Sequence, residues 1–334
     1  LNKLCLGCMR EKPDFSPECP YCHYDAGQDN ESPALPVKTV LQNRYIVGKV
    51  ITSNGEGITY IGYDTTQNIA VRIREYFPQG LCERINLTVK SFSDSQAVFD
   101  KELDQFLELA RALARMRGLS ALLPVYDIFE ANSTAYYISE SVDSITLRDF
   151  LIRNGGSLTF SQMRPLFMPI MSTLSSLHAV DIIHRGISPD TLIIGKDGRI
   201  RLTEFCIADA RTARSEIPAQ LFKGYAAIEQ YGFEGEQGPW TDVYAIAAVI
   251  YRTLVGSPPP EATARVANDK LMISSAVADH LSKYAINGLM NALKILPAER
   301  TQSIDVFRDE LSAAPSVVAA DEETFGQQEP QDQK

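Results

Sequence analysis

The periodicity of the apolar residues changes once along the chain, and this change limits the architectures that the sequence can adopt. Before residue 140 the apolar residues mostly alternate with polar ones in short runs, which predicts strands, and one longer stretch shows helical spacing. After residue 147 the apolar positions recur mainly at helical spacing. We therefore predict an α+β fold with two lobes, the first rich in β-strands and the second helical. The predicted strands are residues 45–51, 58–62, 69–73, 125–129 and 135–139, and the predicted helices are residues 93–117, 147–154, 161–178, 241–254, 276–293 and 304–313.

Shifts in composition divide the 334 residues into four segments. Residues 1–26 are dense in Cys, Pro, Gly and aromatic residues and predict a small metal-binding ribbon. Residues 27–41 are polar and contain prolines, which predicts a linker. Residues 42–313 hold the two-lobed domain, and residues 314–334 are acidic and rich in Gln, which predicts a disordered tail.

The charge of the chain argues against some classes of partner. The formal net charge is −10, so neither nucleic acid nor an anionic membrane is the expected main partner, because both attract basic surfaces. No apolar run is long enough to span a bilayer, and no secretory signal opens the sequence. We expect a cytoplasmic protein, or the cytoplasmic part of a longer, membrane-anchored one.

Two Cys-x-x-Cys pairs lie close together near the N-terminus, Cys5 with Cys8 and Cys19 with Cys22. Each pair sits in a tight turn, so its two thiolates can point at one ion. Four thiolates fill the tetrahedral shell of Zn²⁺ and leave no position for a water molecule. We therefore predict a structural zinc ribbon with these four ligands. Disulfides or free thiols are the alternative, and His23 is not expected to be a ligand.

Several ordered blocks from about residue 44 to residue 311 resemble the eukaryotic-type Ser/Thr protein kinases of bacteria. Such an order is more specific than any one motif. The resemblance implies a protein-kinase-like fold, with a β-rich N-lobe and a helical C-lobe, preceded by the ribbon. The blocks resemble the third-strand lysine block (residues 71–78), the catalytic loop (184–191), the Asp-Phe-Gly motif (204–206), the Ala-Pro-Glu segment (224–231), the start of a C-lobe helix (240–244) and the final arginine block (297–300).

The positions that carry phosphoryl transfer in this family are altered. The catalytic carboxylate aligns with Gly186, and losing a base forfeits a factor of roughly 10²–10⁴ in rate. The second metal ligand aligns with Thr191, and the aspartate of Asp-Phe-Gly aligns with Glu204. The third-strand lysine aligns with Arg74, and its glutamate partner aligns with Leu109.

The nucleotide pocket, if one exists, is expected to involve Gly57, Arg74, Ser139 and Glu204. Gly57 alone matches a glycine of the Gly-rich loop, in which Thr52 and Asn54 replace the first two glycines and Glu56 takes the tip. Ser139 aligns with the gatekeeper position and is expected only to pack beside its neighbours.

Residues with architectural roles in the family are retained. His184 and Phe205 are expected to stack through the core, and Asp242 to cap the backbone of the catalytic loop. Glu229 and Arg300 are expected to form a buried ion pair. Other charged residues, among them Arg72, are interpreted as solvated, and residues 208–222 as an ordinary surface loop.

The positions for phosphoryl transfer are altered while the architectural residues are retained. We therefore predict a pseudokinase that is not an enzyme and that acts as a regulatory or scaffolding module. Its expected partner is a protein, for example an active kinase or an assembly component. Binding of ATP and Mg²⁺ is expected to be doubtful. The alternative is an ATP-dependent phosphotransferase or nucleotidyl transferase that uses Glu204 as its metal ligand.

Overall fold

The structure is a computed structural model that describes residues 3–13, 16–233 and 235–312. The predicted tail, residues 314–334, lies outside these described residues.

The N-lobe is built on a six-stranded antiparallel sheet in the order β1-β2-β3-β4-β8-β7. Its strands are rich in Val, Ile and Tyr, whose side chains suit a pleated, half-buried surface. A hairpin of β5 and β6 and the long helix α1 follow the fourth strand. The elements are β1 (Val40–Leu41), β2 (Tyr45–Ser53), β3 (Gly57–Asp64), β4 (Ile69–Tyr76), β5 (Cys82–Ile85), β6 (Thr88–Ser91), α1 (Gln96–Arg115), β7 (Val125–Ala131) and β8 (Thr134–Glu140).

The C-lobe is mostly helical. Thr159 begins its long helix α3 with a capping box, in which its hydroxyl and the side chain of Gln162 satisfy each other's backbone amides. Most residues of helix α4 are buried in the core of the lobe. The elements are β9 (Ser144–Thr146), α2 (Leu147–Arg153), α3 (Phe160–His178), β10 (Leu192–Gly195), β11 (Ile200–Leu202), α4 (Pro239–Val255), α5 (Ala262–Ala267), α6 (Ser275–Ala278), α7 (Lys283–Ala292) and α8 (Ile304–Ser312).

The predicted fold class is confirmed: a curled antiparallel sheet with one helix forms the N-lobe, and a helical lobe follows it. Each lobe has its own hydrophobic core. The helix predicted at residues 276–293 is instead two helices, α6 and α7. The short strands β5, β6 and β9–β11 are not predicted from the sequence, since runs of three or four residues carry too little periodicity to be recognised.

The polar stretch predicted as a linker lies against the N-lobe. Leu35 is fully buried, and β1 pairs with β2. Asn30 donates to the carbonyl oxygens of Leu35 and Gly48 and accepts from the amide of Val50. One buried side chain and one amide network therefore fix this stretch to the sheet.

The cysteine module, which we define as residues 3–13 and 16–26, packs against the outer face of β2 and β3. Leu6 and Met9 are buried there against Ile46 and Ile61. The amide of Lys49 donates to the carbonyl of Leu6 at 2.9 Å. Within the described residues, no helix is long and apolar enough to cross a membrane.

Candidate functional site

The cleft between the lobes contains a small cavity lined by both polar and apolar residues. Its volume is about 30 Å³, and its wall includes Arg72, Arg74, Ser139 and Glu204. Sites for drug-sized ligands are typically about 300–1,000 Å³. This part of the cleft is therefore closed, with room for only one or two water molecules.

Arg74 is the centre of this closed site. It projects from β4, is 2% exposed, and donates to Glu56 Oε2 at 2.7 Å and to Asn54 Oδ1 at 2.8 Å. A further bond runs to Thr59 Oγ1 at 3.1 Å. Burial alone would lower the pKa of Arg74, but the charge of Glu56 and its other acidic neighbours outweighs burial and raises it. The guanidinium is thus held charged.

The Gly-rich loop folds inward over Arg74. Asn54 Oδ1 accepts from the amides of Glu56 and Gly57, both at 3.1 Å, which forms a tight polar turn. Gly57 then begins β3. The Glu56 side chain is fully buried and points into the protein, although the sequence places it at the tip of the loop. Arg74 therefore has a carboxylate partner, and this partner comes from the loop because α1 offers Leu109 instead.

Glu204 and Arg72 face each other across the cavity. Arg72 Nη2 donates to Glu204 Oε1 at 3.2 Å, and Glu204 Oε2 lies 3.9 Å from Arg74. The interpretation of Arg72 as solvated is wrong, because its side chain is only 13% exposed. It points into the cleft since residues two apart on a strand share a face, so Arg72 and Arg74 project to the same side of β4.

Glu204 Oε2 is buried and makes no hydrogen bond within the described residues. Glu204 and Arg185 also adopt left-handed backbone conformations, with φ of 62° and 60°. Such conformations are unfavourable for residues with a side chain and are concentrated at functional sites. A carboxylate oxygen that makes no hydrogen bond, on a strained backbone, is the kind of group that binds a cation.

Gly186, at the catalytic-base position, is covered by Arg211. A Cβ atom on Gly186 would lie 2.7 Å from Arg211 Cζ, so the guanidinium uses the space left by the missing side chain. Arg211 is fully buried and donates to the Glu204 carbonyl at 3.0 Å and to Gln220 Oε1 at 2.8 Å.

The segment after the Glu-Phe-Cys block is therefore more than a surface loop. The interpretation of residues 208–222 as an ordinary surface loop is wrong. Ile207, Ala210 and Ile217 are buried in the N-lobe core. These apolar side chains take the segment into that core.

The catalytic loop is held by buried groups. Asp242 accepts from the amides of His184 and Arg185, both at 2.8 Å. The His184 ring lies 4.4 Å from that of Phe205, and burial lowers the pKa of His184 to about 4, so the ring is neutral at pH 7. Thr191 Oγ1 donates to the Gly186 carbonyl at 2.7 Å, so its hydroxyl stabilises the loop in this conformation.

Glu229 and Arg300 form the ion pair that the sequence suggests. Arg300 donates to both carboxylate oxygens, at 2.7 and 3.1 Å, and both side chains are fully buried. Arg300 also donates to three backbone carbonyl oxygens, which satisfies the remaining N–H groups. Ser139 is 7% exposed at the cavity wall, whereas Leu109 is half-buried against the C-lobe core.

The four cysteine sulfurs of the module lie within 4.8 Å of one another. Cys5 and Cys22 are 3.6 Å apart, and Cys8 and Cys19 are 3.8 Å apart. The edge of a tetrahedron with metal–sulfur bonds of 2.3 Å is about 3.8 Å. All four are free thiols, so the cluster could hold one metal ion with tetrahedral geometry.

The position of Arg211 over Gly186 is not predicted from the sequence, and neither are the bonds of Glu56 and Asn54 to Arg74. One signal was available: Arg74 had lost its partner on α1, and Glu56 was a new acid in the loop nearest to it. Arg211 had no comparable signal, because its partners are mostly backbone carbonyls and a glutamine side chain.

The two-lobed fold, with its catalytic-loop and Glu-Phe-Cys backbone at the cleft, defines a protein of the kinase class. Residues 83–310 match the protein kinase domain, and the chain belongs to this family. The matched region begins after β4, so it leaves out the Gly-rich loop and Arg74.

The curated relatives include bacterial Ser/Thr kinases. The chain is 28% identical over 224 residues to the serine/threonine-protein kinase PknL of Mycobacterium tuberculosis, covering 66% of this chain and 51% of the relative. It is 26% identical over 301 residues to a probable serine/threonine-protein kinase (CA_C1728) of Clostridium acetobutylicum, covering 86% and 42%. The chain thus spans about half the length, or less, of these relatives.

Solved structures resemble the chain over most of its length. The structure described as PpkA-294 in its apo form is 30% identical with a TM-score of 0.69, covering 84% of this chain and all of that one. The kinase domain of PknI from Mycobacterium tuberculosis is 18% identical with a TM-score of 0.58, covering 84% and 99%, and supports the fold alone.

These relatives contradict the prediction that the chain is not an enzyme. Its family and its named relatives are protein kinases, and kinases use ATP with Mg²⁺, so doubt about that cofactor is also unsupported. The physical reason is that phosphoryl transfer depends mostly on positioning and electrostatics. The loss of a base therefore lowers a rate by a finite factor and does not identify another class of protein.

Proposed function

We propose that this chain is the kinase domain of a divergent Ser/Thr protein kinase, which transfers a phosphoryl group from ATP to a protein and uses Glu204 as its metal ligand. The observation that carries the proposal is the Glu204 carboxylate. It lies in the cleft between two arginines, and its buried Oε2 atom makes no hydrogen bond within the described residues.

The residues of the cleft fit a magnesium–nucleotide complex. Mg²⁺ prefers carboxylate oxygens, and Glu204 Oε2 has no other hydrogen-bond partner in the described structure. Arg72 and Arg74 supply two positive charges, and guanidinium groups bind phosphate oxygens with charge-assisted hydrogen bonds. Bound Mg²⁺ and ATP would supply charge neutralisation and the transferable phosphoryl group.

The chain's own residues position the reaction. Asp242 and Thr191 hold the catalytic loop through backbone contacts, and Glu204 brings its carboxylate to the cavity. Gly186 provides no acceptor for the proton of a substrate hydroxyl. We therefore expect a slow enzyme, lower in rate by roughly 10²–10⁴ than one with a base at this position.

The proposal is tested with ATP labelled on the γ- or the α-phosphate, a general protein substrate, and Mg²⁺ or Mn²⁺. Transfer of the γ-label to a serine or threonine supports it, and Glu204→Gln should abolish both the transfer and the metal-dependent part of the melting-temperature shift caused by ATP. Glu130→Gln makes the same chemical change at an exposed site and should behave as the wild type. Transfer of the α-label would favour a nucleotidyl transferase. Absence of any ATP-induced shift at millimolar concentration would refute the proposal.

We propose that the main protein partner is the substrate that receives the phosphoryl group. A regulatory role toward an active kinase or an assembly component stays a prediction of the sequence. A pull-down with the intact chain and with a variant lacking Cys19 and Cys22 would show whether the cysteine module takes part.

We also propose zinc as the ion of the cysteine module. Four thiolates with no carboxylate or open position suit a structural zinc site, and the sulfur spacing supports a tetrahedral ion. Metal analysis of the purified chain should give one zinc per molecule.

A further inference from the structure

The Glu56 carboxylate occupies the side of Arg74 that faces the Gly-rich loop. Its Oε2 atom accepts from Arg74 at 2.7 Å, and its Oε1 atom accepts from the amide of Ile207 at 3.1 Å. These two donors belong to different parts of the cleft, β4 and the segment after Phe205. One carboxylate therefore joins the loop to both.

The same loop touches that segment at a second point. A Cβ atom on Gly55 would lie 2.0 Å from the carbonyl oxygen of Pro218, so the two backbones meet there with no room for a side chain. Asn54 Nδ2 donates to Cys206 Sγ at 3.1 Å, which adds a third contact. The loop and the segment are closed onto each other along residues 54–56.

A carboxylate and a phosphate compete for the same guanidinium, because both are anions with oxygens that accept paired N–H groups. We infer that Glu56 is an internal anion that holds the cleft closed, and that a nucleotide phosphate must displace it from Arg74 to bind. This inference rests on the proposed nucleotide site. It assigns regulation of that site to a residue that the family pattern places at the tip of the loop.

The closed state has a thermodynamic consequence. When the binding-competent state is only a fraction of the population, the apparent dissociation constant of a ligand rises by the inverse of that fraction. Weakening the contacts of Glu56 should therefore strengthen ATP binding, although it removes a buried ion pair. A merely structural Glu56 would give the opposite result, since a damaged cleft binds less well.

The test uses two variants and one control in the full chain. Glu56→Gln removes the charge and keeps the shape, while Gly55→Ala adds a methyl group against the Pro218 carbonyl. Glu130→Gln is the control, because Glu130 is exposed on β7 of the same sheet. Hydrogen exchange is measured without nucleotide over residues 52–60 and 205–222, and ATP affinity is measured with Mg²⁺ by calorimetry.

Both variants should exchange faster in these two segments, and ATP should bind them at least about tenfold more tightly than the wild type and the control. Unchanged hydrogen exchange would overturn the inference that Glu56 holds the cleft closed, whatever the measured ATP affinity. Faster exchange with unchanged ATP affinity would overturn the competition and leave the proposed kinase function standing. Faster exchange with no ATP binding by any form would overturn the proposed function and the competition with it. Should Glu56→Gln fail to fold, Gly55→Ala carries the test alone.

Discussion

Removal of the proposed zinc ion from the cysteine module should destabilise the N-lobe as well as the module itself. We expect that the module does not fold without this ion, because few apolar residues are buried within it. Leu6 and Met9 cover Ile46 and Ile61 on the sheet, and an added Cβ on Gly48 would lie 2.2 Å from Met9 Cε. The apo module would uncover this part of β2 and β3.

The expected loss in the free energy of unfolding follows from the burial of Ile46 and Ile61. Ile46 is 3% exposed and Ile61 is 9% exposed, and full burial of an aliphatic side chain is worth about 1.5–3 kcal/mol. Their exposure should therefore lower the free energy of unfolding by about 3–6 kcal/mol. At about 2–4 °C per kcal/mol, the range for a domain of 150–250 residues, the melting temperature should fall by about 6–24 °C.

The assay is calorimetry of the chain before and after chelation, together with Cys19→Ser. Cys82→Ser is the matched control, since Cys82 is buried outside the cluster and a serine can keep its bond to the Pro78 carbonyl. The control should keep its metal and lose stability only on chelation. A zinc-free chain that melts at the temperature of the zinc-bound chain would refute the coupling.

Two further predictions concern buried carboxylates. Glu229→Ala should lower the free energy of unfolding in urea by about 3–5 kcal/mol, because Arg300 stays buried without its partner; a loss below about 1 kcal/mol would contradict this. Burial raises the pKa of Glu102 to about 7, so its contribution to stability is full below about pH 4.5 and is lost as the pH rises through 7. Glu102→Gln should thus have little effect at pH 4.5 and stabilise the chain by roughly 1–3 kcal/mol at pH 8. Equal stabilisation at both pH values would refute the raised pKa of Glu102.

The sequence predicted the fold because its signals are local and redundant. Helices such as α1 and α4 carry several turns of apolar periodicity, and the family blocks appear in order. The conformation of the cleft was not predictable in the same way. Glu56 bonds to Ile207, 151 residues away, and no local pattern records which way a loop side chain turns. The inward face of Arg72 was readable in principle, because it shares the period-two face of Arg74.

Gly186 at the catalytic-base position and Glu56 in the Gly-rich loop look like separate departures from the family pattern, but they are connected in the structure. Gly186 leaves a space that the Arg211 guanidinium fills, and the segment that carries Arg211 also presents Ile207 to Glu56. A side chain at position 186 would meet the Arg211 guanidinium within 2.7 Å, so an aspartate there would require Arg211 to shift from this position. The missing base and the inward Gly-rich loop therefore belong to one conformation. If Glu56 holds the cleft closed as inferred above, its release from Arg74 and Ile207 would free the Gly-rich loop from the segment that carries Arg211.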